Sequence, residues 1–184
     1  MANILTILRM VLIIPFAGVF FIGAPWALKA AFAIFAVAAA TDYLDGRLAR
    51  ARGEASAIGA ALDPLADKLL IAAALLLLVR NGVIRDFEVI AALAILLREI
   101  LVGGLRESLG KVGQSLPVTG LAKIKTSAQM LAVGLLLAAA PGGLAGGALA
   151  PVSAFVLWVA AGLTVVTGAD YARQAARLLR SQHG

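Results

Sequence analysis

Apolar residues fall into six long stretches, at 5–23, 26–48, 60–80, 87–108, 120–140 and 151–175, separated by short breaks rich in charge, glycine or proline. Each stretch approaches the ~20 residues that a helix needs to cross the hydrocarbon core of a bilayer. The pattern therefore predicts an all-α integral membrane protein with six transmembrane helices in one membrane domain, 1–184. The first stretch, with Arg9 ahead of apolar residues and Gly23 and Ala24 after them, resembles a signal peptide. That reading is rejected, because cleavage would leave the remaining spans with an inverted charge bias. Residues before Arg9 are expected to lie along the surface as a short amphipathic lead-in.

The breaks differ in character. Those at 23–26, 81–88 and 141–151 are respectively tight, polar, and glycine-rich without charge, whereas 49–59 and 110–120 join the charge-bearing ends of the spans. The composition agrees with the pattern: 62% of the 184 residues are hydrophobic, far above a soluble domain. Cysteine is absent, which excludes disulfides, thiolate catalysis and cysteine-ligated zinc, and the single histidine is His183.

The net charge of +6 is a matter of orientation rather than of nucleic-acid binding. With the N-terminus inside, Arg9, Arg47, Arg50, Arg52, Lys68, Arg98, Arg106, Lys111, Lys123, Lys125, Arg173, Arg177 and Arg180 lie at inner ends, against Lys29, Arg80 and Arg85 outside. This bias predicts both termini in the cytoplasm. Acidic residues follow the same side, with only Asp86 and Glu88 outside, so polar chemistry is confined to one leaflet.

Four of those acids are clustered. Asp42 and Asp45 end the second stretch, and Asp63 and Asp67 begin the third. An aspartate at the centre of a membrane helix costs roughly 2.5 to 3.5 kcal/mol on insertion scales, so the cluster calls for a compensating cation. Spacings of three and four place each pair on one helical face, with Cβ atoms about 5 to 6 Å apart, and a short loop folds the two helices antiparallel. Oxygen donors without histidine or cysteine suit Mg²⁺ or Mn²⁺, and four carboxylates suit two ions. Such a pair clamps the attacking and leaving oxygens of an in-line displacement at phosphorus. A plainer reading makes Asp63, ahead of Pro64, a helix cap, and Asp67 with Lys68 a solvated pair; it does not account for all four acids at this spacing. Gly46 and Gly59 leave room for a bulky ligand, and Arg50 can meet a diphosphate through a bidentate guanidinium.

The residues spell DxxDGxxAR, then GxxxDxxxD, through Asp42, Asp45, Gly46, Ala49, Arg50, Gly59, Asp63 and Asp67. This motif resembles that of the CDP-alcohol phosphotransferase family. The resemblance implies six membrane helices, a homodimer, and transfer of a phosphatidyl or similar group from a CDP-linked donor to an alcohol with release of CMP. It makes Asp42, Asp45, Asp63 and Asp67 metal ligands for two Mg²⁺ or Mn²⁺ ions and Asp67 the base for the acceptor hydroxyl. Gly46, Arg50 and Gly59 would line the CDP site, as would Asn3 and Thr6 of the opening NxxTxxR.

The likeness extends over nearly the whole chain and is closest to bacterial members that transfer from CDP-diacylglycerol to glycerol 3-phosphate, although the proline usual before NxxTxxR is missing. Arg98-Glu99, Arg106-Glu107 and the run from Lys123 to Met130 carry this part of it. Arg106, Lys123, Lys125 and Thr126 form a cationic, hydroxyl-bearing group suited to a phosphorylated acceptor, which an acceptor such as serine does not match. Arg98, deep in the fourth stretch, should face the interior. Glu99 is offset from it by about 100° around a helix, which argues for partners on other helices rather than a mutual pair.

Other readings predict other patterns. A cardiolipin, phosphatidylserine or inositol-phosphate lipid synthase would keep the motif and change the acceptor group. A membrane prenyltransferase would show adjacent aspartates, and none of the aspartates here is adjacent to another. A divalent-cation transporter would place charges along a path near the midplane.

Overall fold

The computed structural model forms six helices: α1 (Ala2–Val19), α2 (Ala27–Arg52), α3 (Ala57–Arg80), α4 (Glu88–Lys111), α5 (Gly120–Ala139) and α6 (Ala150–Arg180). It describes the backbone of residues 2–52, 57–111, 113–114 and 119–180, and the side chains of 7–41, 65–66, 68–111, 113–114 and 119–178. No strand occurs among the described residues. One helix forms over each apolar stretch, but several run further than the apolar pattern alone indicates. α2 continues to Arg52 and α3 starts at Ala57, so both ends of the loop expected at 49–59 are helical, and 53–56 lie outside the described residues. Arg47-Leu-Ala-Arg-Ala-Arg52 contains only good helix formers, and no breaker intervenes before Gly53. Residues before Arg9 likewise belong to α1 rather than to a separate lead-in.

Two helical stretches among the described residues, Gly120–Ala139 and Ala150–Leu178, are long and apolar enough to cross a membrane. Residue distribution points to the same surroundings. Ile14, Leu76, Ile100, Phe155 and Val166 are all more than half exposed, whereas Arg9, Lys125, Gln129, Thr164 and Thr167 are buried. Apolar groups outside and polar groups inside is the arrangement that lipid as a solvent favours, since it supplies no hydrogen-bonding partner.

The chain forms two compact units, Met1–Arg85 with Val133–Ser153, and Asp86–Ala132 with Ala154–Gly184. In the first unit α1 lies against both α2 and α3. Ala27, Ala31, Phe35 and Ala38 recur on one face of α2 and are buried, so small side chains allow close helix approach. Phe16 fills the space between, edge-on to Phe20 at 5.3 Å and 6.2 Å from Phe35. Arg9 is buried as well, at 1% exposure. The α5–α6 connector turns at Gly143, where a Cβ would come within 2.5 Å of the Leu137 carbonyl oxygen, so no larger residue fits.

In the second unit, the described side chains of α4, the start of α5 and most of α6 pack around Val102, Leu109, Tyr171 and Ala175, with Leu105, Ala122 and Leu178 against them. This apolar floor supports the polar residues described below.

Phe16→Ala should lower the midpoint of thermal unfolding in detergent by about 10 °C, because a buried ring leaves a cavity. Ile14→Ala, which removes a side chain from a position that is 73% exposed, should leave the midpoint unchanged. Equal effects at the two positions would contradict the packing described.

Candidate active site

The residues of the acidic motif are carried by adjacent helices of the first unit. Asp42, Asp45, Gly46 and Arg50 are on α2, Gly59, Asp63 and Asp67 on α3, and Asn3 and Thr6 on α1, the helix that packs on both. Continuous helix through each acid pair keeps its members about one turn apart. The side chains of all nine lie outside the described residues. Among the described residues no three His, Cys, Asp or Glu side chains come together. The fit to a metal therefore rests on donor chemistry: four carboxylates and no softer ligand suit a hard divalent cation.

The second unit holds a polar network that lies within its helices. Glu99 Oε1 on α4 accepts from its neighbour Arg98 through Nη1 at 3.1 Å, from the Lys125 ammonium on α5, and from Gln129 Nε2 at 3.3 Å. Gln129 also donates to Thr164 Oγ1 on α6 at 2.9 Å, and Arg98 Nη2 to Thr167 Oγ1 at 3.2 Å. The expectation that Arg98 and Glu99 do not pair is thus corrected. The long guanidinium stem spans the 100° offset between neighbouring positions, while both residues also reach other helices. Gly168 makes room for that stem: a Cβ there would sit 2.8 Å from Arg98 Cγ. The side chains of Arg98 and Lys125 are only 9% and 5% exposed, so Glu99 is a necessary counter-charge.

The four cationic and hydroxyl residues expected to act together occupy different environments. Lys125 is buried against Glu99, Lys123 is exposed, and Thr126 donates its hydroxyl to the Ala122 carbonyl at 3.1 Å. Arg106 Nη2 donates to the Tyr171 hydroxyl at 2.7 Å, and its guanidinium carbon lies 4.8 Å from the centre of that ring. Tyr171 Oη also accepts from the backbone N–H of Thr119 at 3.4 Å, just before α5.

Residues 1–166, which include the eight-position motif on α2 and α3, match the CDP-alcohol phosphatidyltransferase family. The chain belongs to that family. Its similarity to individual members is broad. A CDP-diacylglycerol--glycerol-3-phosphate 3-phosphatidyltransferase of Rickettsia bellii (strain RML369-C) is 40% identical over 169 residues, covering 92% of this chain and 91% of that protein. Proteins of the same name from Pseudomonas fluorescens and Escherichia coli (strain K12) are 42% and 40% identical, covering 94% and 73% of this chain and 88% and 75% of theirs.

Within this CDP-alcohol phosphatidyltransferase, sequence reasoning did not single out Gln129, Thr164, Thr167, Gly168 or Tyr171 as a connected group. A signal was present. Thr164, Thr167 and Tyr171 are spaced by three and four residues, and so form one polar stripe on α6.

Glu99→Ala should destabilise the protein by about 3–5 kcal/mol, since it leaves Arg98 and Lys125 as buried charges without their counter-ion. Denaturant unfolding in mixed micelles measures this. A loss below about 1 kcal/mol, the usual range for an exposed ion pair, would contradict the network's role.

Proposed function

We propose that this chain transfers the phosphatidyl group of CDP-diacylglycerol to sn-glycerol 3-phosphate, giving phosphatidylglycerophosphate and CMP. It does so as a homodimer whose six helices span the cell membrane, with both termini and the active site on the cytoplasmic side. The observation that carries this reading is the eight-position aspartate motif on α2 and α3, in a chain about 40% identical over most of its length to proteins named for that reaction.

Asp42, Asp45, Asp63 and Asp67 would hold two Mg²⁺ or Mn²⁺ ions. When bound, these ions supply positive charge that offsets the charge of the diphosphate and of departing CMP and lowers the pKa of a coordinated hydroxyl. The chain's own residues divide the remaining work. Asp67 takes the proton from the C1 hydroxyl of glycerol 3-phosphate, whose oxygen then bonds to the β-phosphorus of the donor. The bond from that phosphorus to the bridging oxygen breaks, and its electron pair leaves with CMP. Arg50 binds the diphosphate through its guanidinium, Gly46 and Gly59 admit the nucleotide close to the backbone, and Asn3 and Thr6 contribute polar contacts to the same CDP moiety.

Arg106, Lys123, Lys125 and Thr126 bind the acceptor's phosphate. A dianionic headgroup gains charge-assisted hydrogen bonds there that an uncharged alcohol does not, so these residues separate glycerol 3-phosphate from other acceptors. Glu99 supports that selectivity by holding Lys125 in one place. Exposed apolar side chains along the helices keep the donor's acyl chains in lipid.

Asp67→Asn should abolish CMP release while the protein keeps its wild-type unfolding profile; wild-type turnover by that variant would remove Asp67 from its assigned role. Chelation with EDTA should stop turnover by the wild-type protein and added Mg²⁺ or Mn²⁺ should restore it, whereas indifference to chelation would exclude the metal reading. Lys125→Ala should raise KM for glycerol 3-phosphate by about tenfold and leave KM for the lipid donor nearly constant. A rise confined to the donor would assign Lys125 to the other substrate.

A further inference from the structure

Tyr171 lies beyond the residues matched by the family, and no role in the reaction follows from the motif. It is among the largest fully buried side chains of the protein, at 0% exposure. A phenol buried among apolar groups requires a hydrogen-bonding partner, and this one accepts from two donors on two other segments. Arg106 Nη2 on α4 is 2.7 Å away and the Thr119 amide is 3.4 Å away. Thr119 caps α5 in turn, its Oγ1 accepting from the Ala122 amide at 3.3 Å. One hydroxyl thus ties α4, the start of α5 and α6 together.

Its position is set by the ring. Tyr171 packs with Val102, Leu109 and Ala175, which leaves the rigid side chain little freedom. Arg106, by contrast, is long and half-buried, and its guanidinium makes no other hydrogen bond among the described residues; its Nε is buried and unsatisfied there. A flexible arginine fixed at one Nη, with its carbon 4.8 Å from a ring centre, keeps its other N–H groups as donors in a defined orientation.

We propose that Tyr171 is a positioning residue for the acceptor phosphate: its hydroxyl sets the Arg106 guanidinium, leaving the remaining donors of that fork for the phosphate oxygens. This rests on the assignment of Arg106 to the acceptor made above. Tyr171 itself touches no substrate. It lowers the entropy that Arg106 loses on binding, an effect specific to the acceptor.

The test is steady-state kinetics of the full-length protein in mixed micelles with CDP-diacylglycerol and glycerol 3-phosphate, for Tyr171→Phe, Arg106→Gln and the double variant. Tyr171→Phe keeps the ring and removes one oxygen. It should raise KM for glycerol 3-phosphate about fivefold, with kcat and the donor KM within about twofold of wild type. Added to Arg106→Gln it should change nothing further, since the group it positions is gone.

If Arg106→Gln raises the acceptor KM and Tyr171→Phe does not, the positioning role is wrong and the acceptor assignment stands. If Arg106→Gln leaves that KM unchanged, both fall. Independent, multiplicative effects in the double variant would also overturn the proposal, because Tyr171 would then act apart from Arg106. KM does not depend on the fraction of protein that is active, so a lower yield of folded variant does not obscure these outcomes.

Discussion

Oε1 of Glu99 is the acceptor on which the polar interior of the second unit depends. Bringing two cations into surroundings that offer no water costs several kcal/mol for each, and a carboxylate among them offsets that cost only when its hydrogen bonds are made. Arg98, Lys125 and Gln129 all donate to this one oxygen, and Gln129 passes the connection to Thr164 on α6. The network therefore fixes more than charge: it specifies how α4, α5 and α6 align, because sliding α4 or α5 by a turn would strand an ion, and sliding α6 would remove the hydroxyls that accept from Arg98 and Gln129. Gly168 serves the same arrangement, since only a residue without a side chain leaves space for the stem of Arg98.

The two units carry the same formal charge, eight basic and five acidic residues each, but arrange it differently. The first carries the acid pairs on α2 and α3, which suit cations and, through them, a diphosphate. In the second, the buried and half-buried polar groups of α4 and α5 set Arg98, Lys125 and Arg106 against Glu99, with exposed Lys123 nearby in sequence. On the function proposed above, the first set would serve the transfer whatever the alcohol is. On that same function, the second set would bear on which alcohol is accepted, because the number and placement of cations decide whether a second phosphate is welcome.

Much of this was legible in the sequence, for reasons that differ by element. The helices were visible because each apolar stretch is long enough to stand alone as a signal; their ends were not, because α2 beyond Ala49 is built from charged helix formers that read as loop by hydropathy, and α4 runs through Gly110 to Lys111. The aspartate motif was legible because fixed spacing of rare intramembrane charges has few alternative explanations. The partners of Glu99 on α5 were hidden, since tertiary packing brings them to α4 and no local spacing encodes that. Arg9 reads from the sequence only as a charge near the end of a span; the structure adds that it is buried in the unit that carries the acids. The polar stripe Thr164, Thr167 and Tyr171 was readable in principle and acquires meaning only once α6 is seen to face Arg98, Gln129 and Arg106.

The central claim is that cations on α4 and α5 make a phosphatidyl transferase selective for a phosphorylated acceptor. Its most direct test is CMP release by the purified protein from CDP-diacylglycerol, measured separately with sn-glycerol 3-phosphate, glycerol, serine and inositol. Rapid release with glycerol 3-phosphate and little with the three unphosphorylated alcohols is the predicted result. Comparable release with serine or inositol, or with glycerol lacking its phosphate, would contradict it.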